Sequence, residues 1–195
     1  MREAVKRMMT RDEAWQTLKK HVTSEALLRH CLAVEAAMRA YAAEFGQDVE
    51  YWGAVGLLHD IDFEKYPDEH PGHAREILAA HGLDEQFITD VESHARDWDR
   101  ERTLVQKTLL ALDELTGFVI ACALVRPDKS LDQLEVKSVK KKMKDKAFAR
   151  AVNRETITQA AAAMGVDLDE HIRLVIDALA AAAKAPEYQE VPLIG

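Results

Sequence analysis

From Ser24 to Phe45 the apolar residues fall at Leu27, Cys31, Val34, Met38, Tyr41 and Phe45. Steps of alternating four and three residues keep all six on one side of an α-helix, and no β-strand can bury such a set on one face. The spacing therefore predicts a long amphipathic helix. Ser24 stands where an N-cap belongs, and Gly46 where the chain must turn left-handed to leave the helix.

The same logic extends along the chain. Asp48 can cap a second helix through Trp52, Val55 and Leu58, and Pro71 suits the first turn of a third, which Gly82 can end. Asp84 opens a fourth helix with Phe87, Val91 and His94 on one face, and a fifth runs from about Thr103 to Val125 before Pro127. Ser130 with Gln133, and Asp167 with Glu170, have capping-box spacing. Leu168, Ile172, Val175 and Leu179 form a last stripe, and the tail after Pro186 is expected to be loose. No segment alternates with period two for long, and no solenoid repeat is present. The expectation is an all-α single-domain helical bundle, with a core over 24–125 and a C-terminal helical extension over 128–185 packed on it.

Composition narrows the function classes. Of 195 residues, 26 Lys and Arg stand against 34 Asp and Glu, a net charge of −8, which disfavours generic nucleic-acid binding. The longest uncharged apolar stretch of note, Leu115 to Val125, is far too short to span a bilayer. Met1 to Thr10 has basic residues without an apolar region behind them, so no secretion signal is expected. Cys31 and Cys122 have neither disulfide-scaffold density nor metal-ligand spacing, and read as reduced core thiols of a cytoplasmic protein.

Histidines and aspartates interrupt the apolar pattern at five places. His30 lies on the first stripe, His59 and Asp60 follow the run Ala54–Leu58, His70 opens the third helix, His94 continues the Phe87–Val91 stripe, and Asp113 stands among Leu109–Leu112 and Leu115. An ionised carboxylate buried there costs several kcal/mol unless it is paired or bound to metal. The local strings are LLHDID at 57–62, HPGHAREIL at 70–78, ITDVESHAR at 88–96 and LLALDELTGF at 109–118. In order and spacing the set resembles the HD-domain superfamily of metal-dependent phosphohydrolases, in its HD-I-G variant, with Asp62 where that variant has glycine. The segment from Asp113 to about Phe148 looks like that of an uncharacterised prokaryotic subgroup of the superfamily.

The resemblance implies a metal site of His30, His59, Asp60, His70, His94 and Asp113. The superfamily uses one ion or two, and both remain open. His70 matches the six-ligand members, whereas Ser93 precedes His94 where many of those have a second histidine. Imidazole suits Mn, Fe, Ni, Co or Zn, and carboxylate also admits Mg. Asp60 would be the bridging and catalytic carboxylate, and Glu64 and Lys65 are candidate catalytic groups. Phe63 stands at the position that many members fill with a charged residue. The implied activity is hydrolysis of a small phosphate ester or nucleotide by a metal-activated water. The alternatives are a di-iron oxygenase of related fold and a non-catalytic module that binds a nucleotide or a partner.

The residues around the motif carry the substrate expectations. His73, three residues after His70, could line the site. Lys137, Lys140, Lys141, Lys142, Lys144, Lys146 and Arg150 make a basic run between 136 and 150, against Asp145 alone. Either it is a solvated face, or Lys137, Lys140 and Lys141, with Arg126, collect substrate phosphate. Aromatic interleaving is missing, so no specific nucleic-acid partner is expected. His81 beside Gly82 suits a helix C-terminus, and His21 and His171 have no motif context.

Overall fold

The computed structural model describes residues 9–95 and 97–194. The reading of Met1–Thr10 therefore falls, up to residue 8, outside the described residues, and so does Arg96 of the 88–96 string. Among the described residues the chain is all-helical: α1 (Arg11–His21), α2 (Glu25–Glu44), α3 (Val49–Leu58), α4 (Ala74–Ala80), α5 (Glu85–Glu92), α6 (Leu104–Leu124), α7 (Val136–Met143), α8 (Arg154–Met164) and α9 (Leu168–Ala182), with a short 3-10 turn at Pro186–Tyr188.

The caps explain where the elements start. Ser24, Asp48, Asp84 and Asp167 each accept backbone N–H groups of the first turn of α2, α3, α5 and α9. Gly46 and Gly82 both adopt positive φ just beyond α2 and α4. Helix α1 is an addition to the sequence-based expectation. Thr10 and Glu13 cap it reciprocally, and Ala14, Trp15, Thr17 and Leu18 are buried.

Three expectations are corrected. Pro71 does not open a helix. The segment from His70 to His73 is held by the Asp62 carboxylate, and α4 begins only at Ala74. Ser130 and Gln133 do not start one either: the Ser130 hydroxyl turns to the Asp132 N–H, and the next helix begins at Val136. The tail after Pro186 is packed, because Tyr188, Val191 and Leu193 are buried and Arg29 holds the Pro192 carbonyl at 2.8 Å.

Helix α2 is central, packed against α3, α6 and α9, while α8 lies along α6. One apolar cluster runs from Ala14 to Leu193, so α7–α9 share the core of α2–α6. Gly56 sets the closest approach. A Cβ on it would lie 3.1 Å from the Val34 carbonyl oxygen and 3.2 Å from Glu35 Cα, which lets α2 and α3 touch backbone to backbone. No helix among the described residues is long and apolar enough to cross a membrane, and Cys31 and Cys122 are buried free thiols.

Candidate metal centre

Four elements converge beside the α2–α3 contact. His30 comes from the second turn of α2, His59 and Asp60 from the end of α3, His94 from just past α5, and Asp113 from the middle of α6. His70 arrives from the turns before α4. The structure thus brings together all six residues whose types suit a metal.

They form two groups that share one carboxylate. His30, His59 and Asp60 make the first, and Asp60, His70 and His94 the second. In the first, the His30 and His59 Nε2 atoms are 3.1 Å apart, and Asp113 Oδ1 lies 3.1 Å and 3.6 Å from them. In the second, the His70 and His94 Nε2 atoms are 2.8 Å apart. Asp60 Oδ2 faces His30 at 3.5 Å, while Oδ1 faces His59 at 3.3 Å, His70 at 3.1 Å and His94 at 3.7 Å. The His59 side chain is fully buried, whereas those of His30 and Asp113 are 23% and 29% exposed, so the centre opens on their side.

Hydrogen bonds on the far side of the rings decide what the near side can do. A carbonyl oxygen only accepts, so His59 donates from Nδ1 to Gly56 O at 2.8 Å, and His94 from Nδ1 to Val91 O at 2.5 Å. His70 donates from Nδ1 to Asp62 at 2.7 Å. In the neutral rings the Nε2 lone pairs of His70 and His94 then point at each other with no proton between them. A cation belongs there, either a proton or a metal ion. Burial opposes charge on His70, yet its bonds to Asp60 and Asp62 raise its pKa to about 9. Burial likewise disfavours the charged forms of Asp60 and Asp113, but the surrounding imidazoles hold both well below the usual carboxylate range. Inward imidazole nitrogens with outer hydrogen bonds, together with carboxylate oxygens, fit a divalent ion.

The remaining site candidates lie differently. Glu64 accepts from the backbone N–H groups of Thr23 and Ser24 at 2.8 and 2.9 Å, and from the Thr23 hydroxyl. These are donors at the entrance to α2, so the carboxylate expected to assist catalysis is engaged in holding a helix end. Lys65 is exposed. His73 gives its backbone N–H to Asp62 at 3.0 Å, bonds to Glu69 and stacks on Tyr66 with ring centroids 3.8 Å apart. Phe63, 42% exposed, meets the His70 ring edge to face.

The expected phosphate-collecting face pairs elsewhere. Arg126 is bound by Asp128, Lys137 by Glu135, and Lys140 by Asp169 at the start of α9, while Lys141 is exposed. Among the described residues, no hydrogen bond or ion pair joins these cations to the six-residue centre. Sequence reasoning assigned no role to Asp62, which is fully buried and touches both His70 and His73. The available signal was an acidic residue in a motif position that favours glycine. His21 and His81 pair through Nε2 atoms at 3.2 Å, and the buried His171 bonds to Tyr41.

A family match described as HD domain covers residues 27–182, and so runs through α2 to α9. Ribonuclease Y of Mycoplasma mycoides subsp. mycoides SC is 35% identical over 89 residues, which are 44% of this chain and 17% of that relative. The chain thus corresponds to a minor part of the relative's length. No solved structure matches. Because the match spans most of the chain and the motif residues meet in one centre, the chain belongs to the HD domain family, a superfamily of metal-dependent phosphohydrolases.

Proposed function

We propose that this protein is a phosphohydrolase that acts on a small phosphate ester or nucleotide, with two divalent ions sharing Asp60. The observation that carries the reading is that one carboxylate faces both three-residue groups, whose imidazoles present Nε2 inward. His30, His59 and Asp113 would hold one ion, His70 and His94 the other, and Asp60 both. Ions so held supply Lewis acidity toward phosphoryl oxygens and lower the pKa of water.

The chain's own residues orient the rest. Gly56, Val91 and Asp62 fix three imidazoles in one tautomer, so the donor geometry needs little rearrangement when substrate enters. Substrate would enter on the partly exposed His30 and Asp113 side, with His73 and Phe63 beside the His70 half. The buried free thiols accord with a cytoplasmic setting.

The experiment is a hydrolysis panel on protein of measured metal content, loaded in turn with Mn, Mg, Co, Ni, Fe or Zn. It covers phosphate monoesters, nucleotides and a short RNA phosphodiester, the last because the relative is named Ribonuclease Y. Phosphate release that vanishes with chelator and in Asp60→Asn is the expected result. Wild-type metal content in Asp60→Asn and His59→Ala, or turnover that requires dioxygen, overturns the reading.

A further inference from the structure

We propose that Asp62 is the positioning residue for one half of the centre: it makes Asp60, His70 and His94 a binding site and ties that half to the loop at its rim. This rests on the two-ion reading above.

The two halves are supported differently. In the half with His30, the His59 ring is oriented by a backbone carbonyl, Gly56 O, at the end of a regular helix. His94 is likewise oriented by Val91 O. His70 belongs to no helix. It sits among turns, and its Nδ1 partner is the Asp62 carboxylate. Asp62 therefore does for His70 what helical backbone does for His59 and His94, and it brings a negative charge that strengthens the imidazole as a donor.

The same carboxylate uses its other oxygen to accept the His73 N–H at 3.0 Å, and the Asp62 carbonyl accepts from Lys65 and Tyr66 at 3.1 and 2.9 Å. One buried residue thus holds both ends of the segment 63–73. That segment carries Phe63, which meets His70, and Tyr66, which stacks on His73. A glycine at this position, as in the motif variant that the chain resembles, has no side chain to make either carboxylate bond.

The test is metal binding, read without turnover. Manganese is titrated into the metal-free full chain and into Asp62→Asn and Asp62→Gly. Equilibrium dialysis gives the stoichiometry, and electron paramagnetic resonance separates coupled Mn pairs from isolated ions. The wild type is expected to take two ions and give a coupled signal. Both variants are expected to keep the first affinity while the second weakens about 10- to 100-fold, so that isolated Mn dominates at the same loading. Asp62→Asn keeps the side-chain volume and an acceptor oxygen, and unchanged helical circular dichroism shows that it has folded. Two equally tight ions in both variants overturn the inference, as does a matching loss at both positions, which a merely structural role would give. A wild type that never exceeds one ion overturns the two-ion reading and this inference with it, and that case is recognised because the deficit is already present before substitution.

Discussion

The Tyr41 hydroxyl lies 2.5 Å from His171 Nδ1 in the closed contact between α2 and α9, and His171 Nε2 donates to the Ala111 carbonyl of α6. Burial raises the Tyr41 phenol well above its usual range, so it remains a donor, and His171 accepts as the neutral ring. Burial pushes His171 down to about 4, against the Ala111 carbonyl, which favours the charged form. The unfolded ring titrates near 6.5. As pH falls from there toward 4 the unfolded state takes up a proton that the folded state refuses. Stability is then fully present above about pH 6.5, declines through that window and levels off below it. For a wholly buried ring the change is on the order of 3 kcal/mol. Urea unfolding at a series of pH values should show it as a difference between the wild type and His171→Gln, whose profile should be flatter between pH 6.5 and 4. Parallel profiles would refute the assignment.

Gly56 predicts a competition between two known effects. Alanine gains roughly 0.5–1 kcal/mol of helix propensity over glycine. The added Cβ, however, meets Met38 Cγ at 2.8 Å and the α2 backbone at 3.1 and 3.2 Å. Met38 can move, but the backbone yields only if α2 and α3 part, and such overpacking costs about 1–3 kcal/mol. Gly56→Ala is therefore expected to lose about 1–2 kcal/mol net. Because this contact also carries the His30–His59 approach, metal affinity at that half should weaken. A Gly56→Ala protein more stable than the wild type, with unaltered metal affinity, would show that the helix contact has slack.

Much of this architecture was legible because its causes are local. Ser24, Asp48, Asp84 and Asp167 are caps whose partners lie two or three residues away, and the α2 stripe follows from helical geometry. Ser130 shows the limit of that logic, because a capping-box spacing cannot say whether the residues after it have a core to bury against. Helix α1 was missed although Thr10 and Glu13 cap it, since its buried side is short and its surface highly charged. The six metal candidates were legible from residue type and order on apolar stripes. What they share, one carboxylate between two imidazole pairs, depends on how four segments pack. The bonds of Asp62 to the His70 side chain and the His73 backbone need the turns between them, and the bond of Glu64 to Thr23 spans 41 residues.

Glu64 gives the sharpest separation between the motif-based expectation and the contacts observed. As a general acid its loss would lower turnover by about 100-fold or more, and glutamine would be no better than alanine. As the anchor of the α2 entrance, it does its work through oxygen acceptors, and glutamine keeps one of them. The Thr23 hydroxyl and the Thr23 and Ser24 amides hold the carboxyl below its usual range, so this contribution is present at neutral pH and is lost as pH falls through the folded-state value. Glu64→Gln, neutral like the protonated acid, is then expected to lose part of that stability while its kcat stays close to the wild type. Glu64→Ala should lose about 1 kcal/mol of stability, a cap-sized effect at an exposed site, with kcat within about threefold and metal content unchanged. The same two variants, assayed with whichever ester the panel identifies, decide the matter: a large fall in kcat for Glu64→Gln at unchanged stability would return Glu64 to the catalytic machinery.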